Sequence, residues 1–297
     1  ETLKTRIDEV ESFYNEILEV PFNFQINEEI NLDYENLEYA ENTNELKKIW
    51  RKRLKLSALD GYASKKEIND AECMFGFEQE FFFVDPKTNR PLGFPENGSP
   101  EEQGKYYCSV GYGKCYGRNV AEEILDNAIY AGLSITGMNF EVAPGQCELQ
   151  LCDIGLKAAD DLLILRYIMI RTAENHNLII SLHPKPEKNN WNGSGCHANF
   201  STIQMREGNA NGEKTGLDYI NEAIKCLERD HVEMMKDYGS GNEERMTGLH
   251  ETADYSVFSH GIANRGASVR IGNDTYRNKK GYFEDRRPSS NCDPYLV

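Results

Sequence analysis

The segment that most constrains the fold of this chain is MFGFEQEFFFVD (residues 74–85), which is rich in aromatic side chains but carries two glutamates. Its composition and the turn residues at its ends predict a β-strand. Residues i and i+2 of a strand share a face, so Glu78 and Glu80 are expected to point the same way. Two carboxylates held together are costly unless a cation neutralises them. The segment therefore indicates a sheet with a cation site on one face.

Further predicted strands repeat this placement of ionisable side chains among apolar ones. Glu141 and Glu148 flank a turn at Pro144-Gly145, and Glu148 shares its strand face with Gln150. The other same-face sets are His197, Asn199 and Ser201; Ser268 and Arg270; Glu284 and Arg286; and, on the opposite face, Asp285 and Arg287. Five glutamates with one imidazole suit Mg²⁺ or Mn²⁺ better than Zn²⁺, and neighbouring arginines suit phosphate or carboxylate groups. This combination suggests phosphoryl transfer from a metal-bound nucleotide, without a P-loop because no GxxxxGK[ST] occurs.

The remaining periodicity predicts an α+β fold, because helices and strands mix without a strict βαβ rhythm. The predicted helices are 1–18, 45–56, 119–132 (with Asn119 as cap, Glu122 completing a capping box and Gly132 ending the helix), 156–175 and 216–239. The other predicted strands are 22–26, two extended pieces within 140–151, 178–184, 196–203, 267–271 and 281–285. We expect two regions: an irregular or helical segment at residues 1–73 and a main domain at residues 74–297.

The composition of the chain excludes several classes of function. The 297 residues carry a net charge of −16, which argues against nucleic acid or an anionic membrane as the main partner. No apolar run approaches the ~20 residues of a membrane span, and ETLKTRIDEV has neither a signal region nor an initiator Met. The sequence is therefore expected to begin inside a longer protein. The eight cysteines form no CxxC, so free thiols and a cytoplasmic location are predicted.

Several segments together resemble the catalytic domain of glutamine synthetases of the eukaryotic type. They are FGFEQEFFFVD (75–85), PLGFP (91–95), KYYCSVG (105–111), 117–150, HPKPEKNNWNGSGCHANFST (183–202), RMTGLHET (245–252), SHGIANRGASVRI (259–271) and KKGYFEDRRPSSNCDPY (279–295). The resemblance covers residues 74–297 and implies a curved, mainly antiparallel sheet with flanking helices. It also implies that glutamate, ammonia and ATP are converted to glutamine through γ-glutamyl phosphate, with Mg²⁺ or Mn²⁺ as cofactor.

The resemblance assigns expected roles to individual residues. One metal would be held by Glu80, Glu141 and Glu148, and the other by Glu78, His197 and Glu284. Arg245, Arg265 and Arg286 resemble residues that hold the glutamate carboxylates or the transferred phosphate, and Arg270 resembles a nucleotide-phosphate or transfer-site arginine. Asn199 and Ser201 resemble ATP contacts, Asn192 and Gly193 belong to the loop that clasps glutamate, and Glu251 resembles the gating carboxylate that helps to deprotonate ammonium.

The N-terminal region departs from the family pattern. The family begins with a β-grasp domain whose Asp-Gly-Ser-Ser motif completes the active site of the neighbouring subunit, and residues 1–73 contain no such motif. Other departures are Cys147 in place of Trp, His260 in place of a small residue, and Gly272-Asn273 in place of Pro-Arg. Two main interpretations stay open. The first is a glutamate–ammonia ligase, or a close relative that uses another amine, which is impaired as an isolated chain and belongs to a homo- or hetero-oligomer. The second is a non-catalytic structural or regulatory subunit.

Overall fold

The computed structural model of the protein describes residues 65–100, 103–188 and 190–297. They belong to one compact unit, Lys65–Val297. The helices predicted at 1–18 and 45–56 and the strand predicted at 22–26 lie outside the described residues. The predicted domain boundary between residues 73 and 74 remains a prediction.

The unit combines one sheet with flanking helices. Its strands are β1 (Met74–Asp85), β2 (Arg90–Pro91), β3 (Ile135–Phe140), β4 (Gln146–Ile154), β5 (Ile179–Ser181), β6 (Cys196–Ser201), β7 (His260–Ile262), β8 (Val269–Ile271) and β9 (Phe283–Asp285). Its helices are α1 (Lys65–Asp70), α2 (Arg118–Tyr130), α3 (Lys157–Asn175), α4 (Ile203–Glu207), α5 (Gly216–Arg229), α6 (His231–Asp237), α7 (Asn242–Arg245) and α8 (Asn273–Asn278).

The strands lie in the order β3-β4-β1-β6-β9-β8-β7, and β2 and β5 also pair with β1. Neighbouring strands are antiparallel except β7 and β8, which run parallel. This mixed, mostly antiparallel sheet confirms the predicted α+β class. No described helix has both the length and the apolar character needed to cross a bilayer. All eight cysteines are free thiols, as expected.

The central strand β1 has the bounds predicted for it and separates two environments. Its odd-numbered aromatic residues, Phe77, Phe81 and Phe83, are buried in the largest apolar cluster of the described residues, against helices α2 and α3. Full burial of one such side chain stabilises the fold by about 1.5–3 kcal/mol. The opposite face carries Glu78 and Glu80, so the alternation along β1 joins the core to a polar surface.

The start of helix α2 corrects a prediction. Asn119 was expected to cap this helix with Glu122, but the helix begins after Gly117, and no side chain caps it. Gly117 has a φ of 88°, and a Cβ there would lie 2.6 Å from the Phe83 ring. Close packing against β1 therefore sets the helix start, and Glu122 instead pairs with Arg118. The prediction that Gly132 ends the helix is confirmed by its left-handed φ of 82°.

The region predicted as one helix at 216–239 is two helices, α5 and α6, separated at Asp230. Three strands are also shorter than predicted: β5, β8 and β9 have three residues each. The end of the strand predicted at 196–203 instead begins α4, because the Thr202 hydroxyl accepts a hydrogen bond from the Met205 amide.

The helix break at Asp230 directs the side chain of His231 into a buried polar cluster. Its Nε2 lies 3.1 Å from the Tyr255 carbonyl oxygen and its Nδ1 lies 3.0 Å from Arg287 Nη1. A guanidinium only donates hydrogen bonds, so Nδ1 must accept and the proton must lie on Nε2. The fully buried Arg287 pairs in turn with Asp285, whose carboxylate also accepts from the Tyr238 hydroxyl. This cluster requires a neutral imidazole.

We predict that His231 makes stability fall as the solution is acidified. Burial and the charge of Arg287 lower its pKa in the folded protein. The unfolded chain therefore binds more protons below about pH 6.5, and the contribution of His231 is lost as pH falls from there through the lowered folded pKa. The variant His231→Asn keeps an acceptor for Arg287 but cannot titrate. In urea unfolding at pH 7.5 and pH 5.5, the stability advantage of the parent chain should shrink at the lower pH. A difference that stays constant with pH would contradict this account.

Candidate active site

The strand register aligns the polar residues of the sheet in adjacent rows. In one row Asn139 of β3, Glu148 of β4 and Glu80 of β1 are direct partners. In the next row Gln150, Glu78 and His197 are partners across β4, β1 and β6. A third row continues through Asn199, Glu284 and Arg270 on β6, β9 and β8. Because each strand contributes alternate residues, the rows form one polar surface opposite the aromatic core.

Six side chains on this surface form two groups with the composition of metal ligands. The first group is Glu78, His197 and Glu284, and the second is Glu80, Glu141 and Glu148. Within each group the three ligand-type atoms lie within 4.8 Å of one another. The structure therefore brings together the same two sets that the family resemblance implied, and their role in holding metal ions remains a prediction.

The first group is balanced by positive charge. His197 Nδ1 lies 3.2 Å from Glu78 Oε2 and 3.3 Å from Glu284 Oε1. Burial and the charge of Arg286 favour a neutral imidazole, but hydrogen bonds to Glu284 and Glu78 outweigh them and raise the pKa of His197 to about 9. Burial alone would raise the pKa of Glu284, yet His197, Arg286 and Arg270 lower it to about 2. In this group the positive charge of the imidazolium neutralises the carboxylates, as a bound cation would.

The second group has less compensation. None of its carboxylates forms an ion pair with a described side chain, and for Glu80 burial outweighs the nearby charges of His197 and Arg245. Glu80 Oε2 accepts hydrogen bonds from the Gly195 amide at 2.7 Å and from Gln146 Nε2 at 3.3 Å. Burial raises its pKa, as it does for its neighbours. Burial and the charge of Glu80 raise the pKa of Glu141 to about 7, and burial with Glu78 and Glu80 raises that of Glu148 to about 8.

The two groups fit divalent cations by the chemistry of their donors. They offer five carboxylates and one imidazole, and oxygen donors of this kind suit Mg²⁺ or Mn²⁺. Burial makes the carboxylates costly to ionise without a counter-charge. We conclude that the residues present fit two hard cations, one in each group.

Arg286 connects the first group to the loops around it. Its Nη1 donates to Glu284 Oε1 at 2.7 Å, its Nε donates to the Arg265 carbonyl at 3.1 Å, and its Nη2 donates to the Glu251 carbonyl at 3.2 Å. Arg270 forms a second ion pair with Glu284 through its Nε. Both guanidinium groups therefore lie beside the Glu284 carboxylate, and a guanidinium is a side-chain group suited to binding phosphate.

The predicted gating residue Glu251 lies on a strained, exposed loop. His250 and Glu251 have φ values of 55° and 62°, a region that non-glycine residues seldom occupy in succession. Glu251 Oε1 lies 3.7 Å from Arg265 Nη1, and Arg265 Nη2 donates to the Tyr107 hydroxyl at 3.2 Å. A carboxylate, a guanidinium and a phenol therefore meet at this edge of the site.

Arg245 is placed differently from the other predicted arginines, because it is almost completely buried. It donates hydrogen bonds to the carbonyl oxygens of Arg286, Arg287 and Pro288, and burial lowers its pKa to about 10. It also packs against Gly193, where a Cβ would lie 2.2 Å from the Pro184 carbonyl oxygen. In this structure Arg245 holds the chain that carries Arg286, and any contact with substrate remains a prediction.

A cavity of about 410 Å³ opens beside Glu78 and contains the predicted ATP contacts Asn199 and Ser201. Asn199 Nδ2 donates to Glu78 Oε1 at 2.8 Å, and Arg206 Nη1 donates to Ser201 Oγ at 3.0 Å. Arg206 and Tyr282 also line the cavity. Asn192 is not part of its lining; this buried residue donates its backbone N–H to Gln103 Oε1 at 2.9 Å.

Sequence reasoning missed several residues of the site. They are Tyr107, Asn139, Gln146, Gly195, Arg206 and Tyr282. The alternation that placed Gln150 on the strand face of Glu148 extends to residue 146 and was a usable signal for Gln146. Gly195 had no such signal, because what requires a glycine there is close packing against distant residues. A Cβ at this position would lie 2.8 Å from His197 Nε2 and 3.0 Å from Arg245 Nη1.

Comparisons with known proteins identify the family. Residues 53–297 match the family model for the glutamine synthetase catalytic domain, and the chain belongs to this family. It is 46% identical over 235 residues to a glutamine synthetase cytosolic isozyme of Pinus sylvestris, and 50% identical over 231 residues to cytosolic isozyme 1-5 of Arabidopsis thaliana. These alignments cover 79% and 77% of this chain and 64% of each plant protein.

Two further similarities are more limited. A solved structure described as "Apo GmaS without ligand" shares the fold, with a TM-score of 0.60 and 22% identity over 78% of this chain and 52% of that one. Residues 1–78 match a second family model, the tail specific protease N-terminal domain, which overlaps the start of the first match. The plant relatives are longer than the part that aligns, since the chain spans 64% of their length.

We predict that Glu148→Gln stabilises the metal-free chain and weakens its response to metal. The substitution keeps the shape of the side chain but removes one of three crowded carboxylates, so the melting temperature without metal should rise by roughly 2–4 °C per kcal/mol gained. Mn²⁺ should raise the melting temperature of the parent by mass action, and should raise that of the variant less. Thermal unfolding with chelator or with Mn²⁺ measures both effects, with the exposed Glu228→Gln as control. A metal-free variant that melts below the parent would show that the carboxylates do not repel one another.

Proposed function

We propose that the chain carries out the glutamine synthetase reaction, with glutamate, ammonia and ATP as substrates. The observation that supports this most strongly is the two acidic groups on one face of the sheet, the first of them paired with Arg270 and Arg286, where a triphosphate and a carboxylate could be held together. Glu78, His197 and Glu284 would hold one Mg²⁺ or Mn²⁺, and Glu80, Glu141 and Glu148 the other. The bound cations would neutralise the triphosphate and polarise its terminal phosphoryl group.

The nucleotide would occupy the cavity beside Glu78. There Asn199 and Ser201 provide polar contacts, and Arg206 and Tyr282 provide a cationic and an aromatic surface that suit a nucleoside. In the first step an oxygen of the glutamate γ-carboxylate would attack the terminal phosphorus of ATP, and ADP would leave with the electrons of the broken P–O bond. Arg270 and Arg286 would stabilise the negative charge that spreads over the transferred group.

Glutamate and the amine would bind on the Glu251 side. Asn192 and Gly193 would contact glutamate through their backbone, and Arg245 and Arg265 would orient its carboxylates. In the second step the nitrogen lone pair of ammonia would attack the acyl carbon, and phosphate would leave. Only neutral ammonia is a nucleophile, so a base must take a proton, and Glu251, which lies beside Arg265, would be that base.

The amine half of the site would be completed by a second subunit. Family members place an Asp-Gly-Ser-Ser motif from a neighbouring subunit near the ammonium, and residues 1–73 contain no such motif. We therefore propose a homo- or hetero-oligomer in which the isolated chain phosphorylates glutamate but forms the amide slowly. The same observation favours the second candidate function, a non-catalytic structural or regulatory subunit. A cytoplasmic location is proposed from the free cysteines and from the cytosolic plant relatives.

We predict that Glu251→Gln separates the two half-reactions. Glutamine formation should fall by about 10²–10⁴, the usual effect of losing one acid–base group, while glutamate-dependent phosphate release should fall less. The Glu251 carbonyl that binds Arg286 is unchanged by the substitution. Phosphate release and glutamine are measured in parallel on the full chain, with the exposed Glu96→Gln as control.

The same assay distinguishes the two candidate functions. An active ligase should show glutamate-dependent phosphate release, a melting temperature that rises with Mg-ATP, and faster glutamine formation when a subunit bearing the Asp-Gly-Ser-Ser motif is added. The absence of all three responses would support the non-catalytic subunit instead. Glutamine formation at the same rate as phosphate release by the chain alone would show that it needs no second subunit.

A further inference from the structure

Neutral amide side chains hold four of the carboxylates in the two acidic groups. Each amide donates one hydrogen bond, and a neutral donor fixes a carboxylate oxygen without adding a positive charge that competes with a cation. The pairs are Glu78 with Asn199, Glu80 with Gln146, Glu141 with Asn139 and Glu148 with Gln150. The remaining carboxylate, Glu284, is held by arginines.

Gln150 differs from the other three amides in its strand register. By strand register it lies directly across from Glu78, a member of the first group. Its Nε2 nevertheless donates at 2.5 Å to Glu148, a member of the second group and its neighbour two residues along β4. Gln150 also lines the cavity beside Glu78. Its amide is therefore bound to the second group, although its strand partner belongs to the first.

A glycine on the neighbouring strand provides the space for this amide. Gly137 of β3 is the register partner of Gln150, next to an irregularity in the β3–β4 pairing. A Cβ at Gly137 would lie 2.8 Å from Gln150 Oε1, which is closer than real Cβ contacts allow. Oε1 is the far end of a flexible side chain, and the φ of Gly137 is not in the left-handed region. An alanine there would therefore move the amide and leave the strand intact.

We propose that Gln150, seated against Gly137, is a positioning residue that turns the Glu148 carboxylate toward the second group. The inference rests on the proposed function, because it assumes that both groups bind divalent cations. Glu148 needs such a restraint because the carboxylates of Glu78, Glu80 and Glu141 all act on it. One hydrogen bond from Gln150 leaves its second oxygen available to a cation.

The test is Mn²⁺ binding to the full chain, measured from the electron paramagnetic resonance signal of free Mn²⁺. This titration counts sites and gives each dissociation constant without any substrate. The variants are Gln150→Met, which removes the donor at similar length, and Gly137→Ala, which moves the amide but keeps it. Each should weaken one of the two sites by about 10–100-fold, the usual cost of losing a partner that orients a metal ligand, and leave the other site unchanged. The exposed Gln204→Met is the matched control and should bind both ions like the parent.

The possible results distinguish a failure of the role proposed for Gln150 from a failure of the proposed function. If the parent binds two Mn²⁺ ions and both variants bind them with parental affinity, Gln150 is not a positioning residue, and the proposed function stands. If both sites weaken equally and the metal-free melting temperature falls in both variants, Gln150 supports the fold rather than Glu148. If the parent itself binds no Mn²⁺, the cation sites and the role of Gln150 are overturned together.

Discussion

The burial of several carboxylates on one face of a sheet is the constraint on which the rest of this structure depends. Such a surface is unfavourable by itself, since like charges repel and buried carboxylates lose their hydration. The aromatic face of β1 provides a compensating gain, because Phe77, Phe81 and Phe83 bury their rings on the other side of the same backbone. A strand with one apolar and one acidic face can therefore be stable only at the centre of a packed sheet.

Support for this strand also comes from a polar network behind it. Gln79 lies between Glu78 and Glu80 and points to the opposite side, where it accepts a hydrogen bond from Arg166 of α3 at 2.7 Å. Gln79 and Arg166 both donate to the Ser290 carbonyl, and the Ser290 hydroxyl donates to the Glu80 carbonyl at 2.6 Å. The backbone beneath the two glutamates is thus tied to a helix and to the chain that follows Arg287. Fully satisfied networks of this kind make a buried region rigid.

The sequence predicted the parts of this arrangement that depend on local periodicity. Alternation was sufficient for β1 and for the shared face of Glu78 and Glu80, and the family resemblance grouped the six acidic and imidazole residues as the structure does. Prediction from local sequence patterns failed where contacts with residues distant in the chain determine the structure. Gly117 begins a helix because of the Phe83 ring, and the helix break at Asp230 places His231 against Arg287. Neither partner is visible from neighbouring residues, so helix-capping rules gave the wrong start and the wrong length.

The two acidic groups differ in a way that bears on their chemistry. The first group has enough positive charge without metal, because His197, Arg270 and Arg286 offset its two carboxylates, and the pKa of Glu284 is lowered to about 2. The second group has only neutral donors, and the pKa of Glu148 is raised to about 8. A cation entering the first group must displace the proton of His197, whose pKa is raised to about 9, and a cation entering the second must displace the proton of Glu148. Metal affinity depends on such proton release. Cation binding should therefore strengthen as the pH rises, through about 8 for the second group and about 9 for the first.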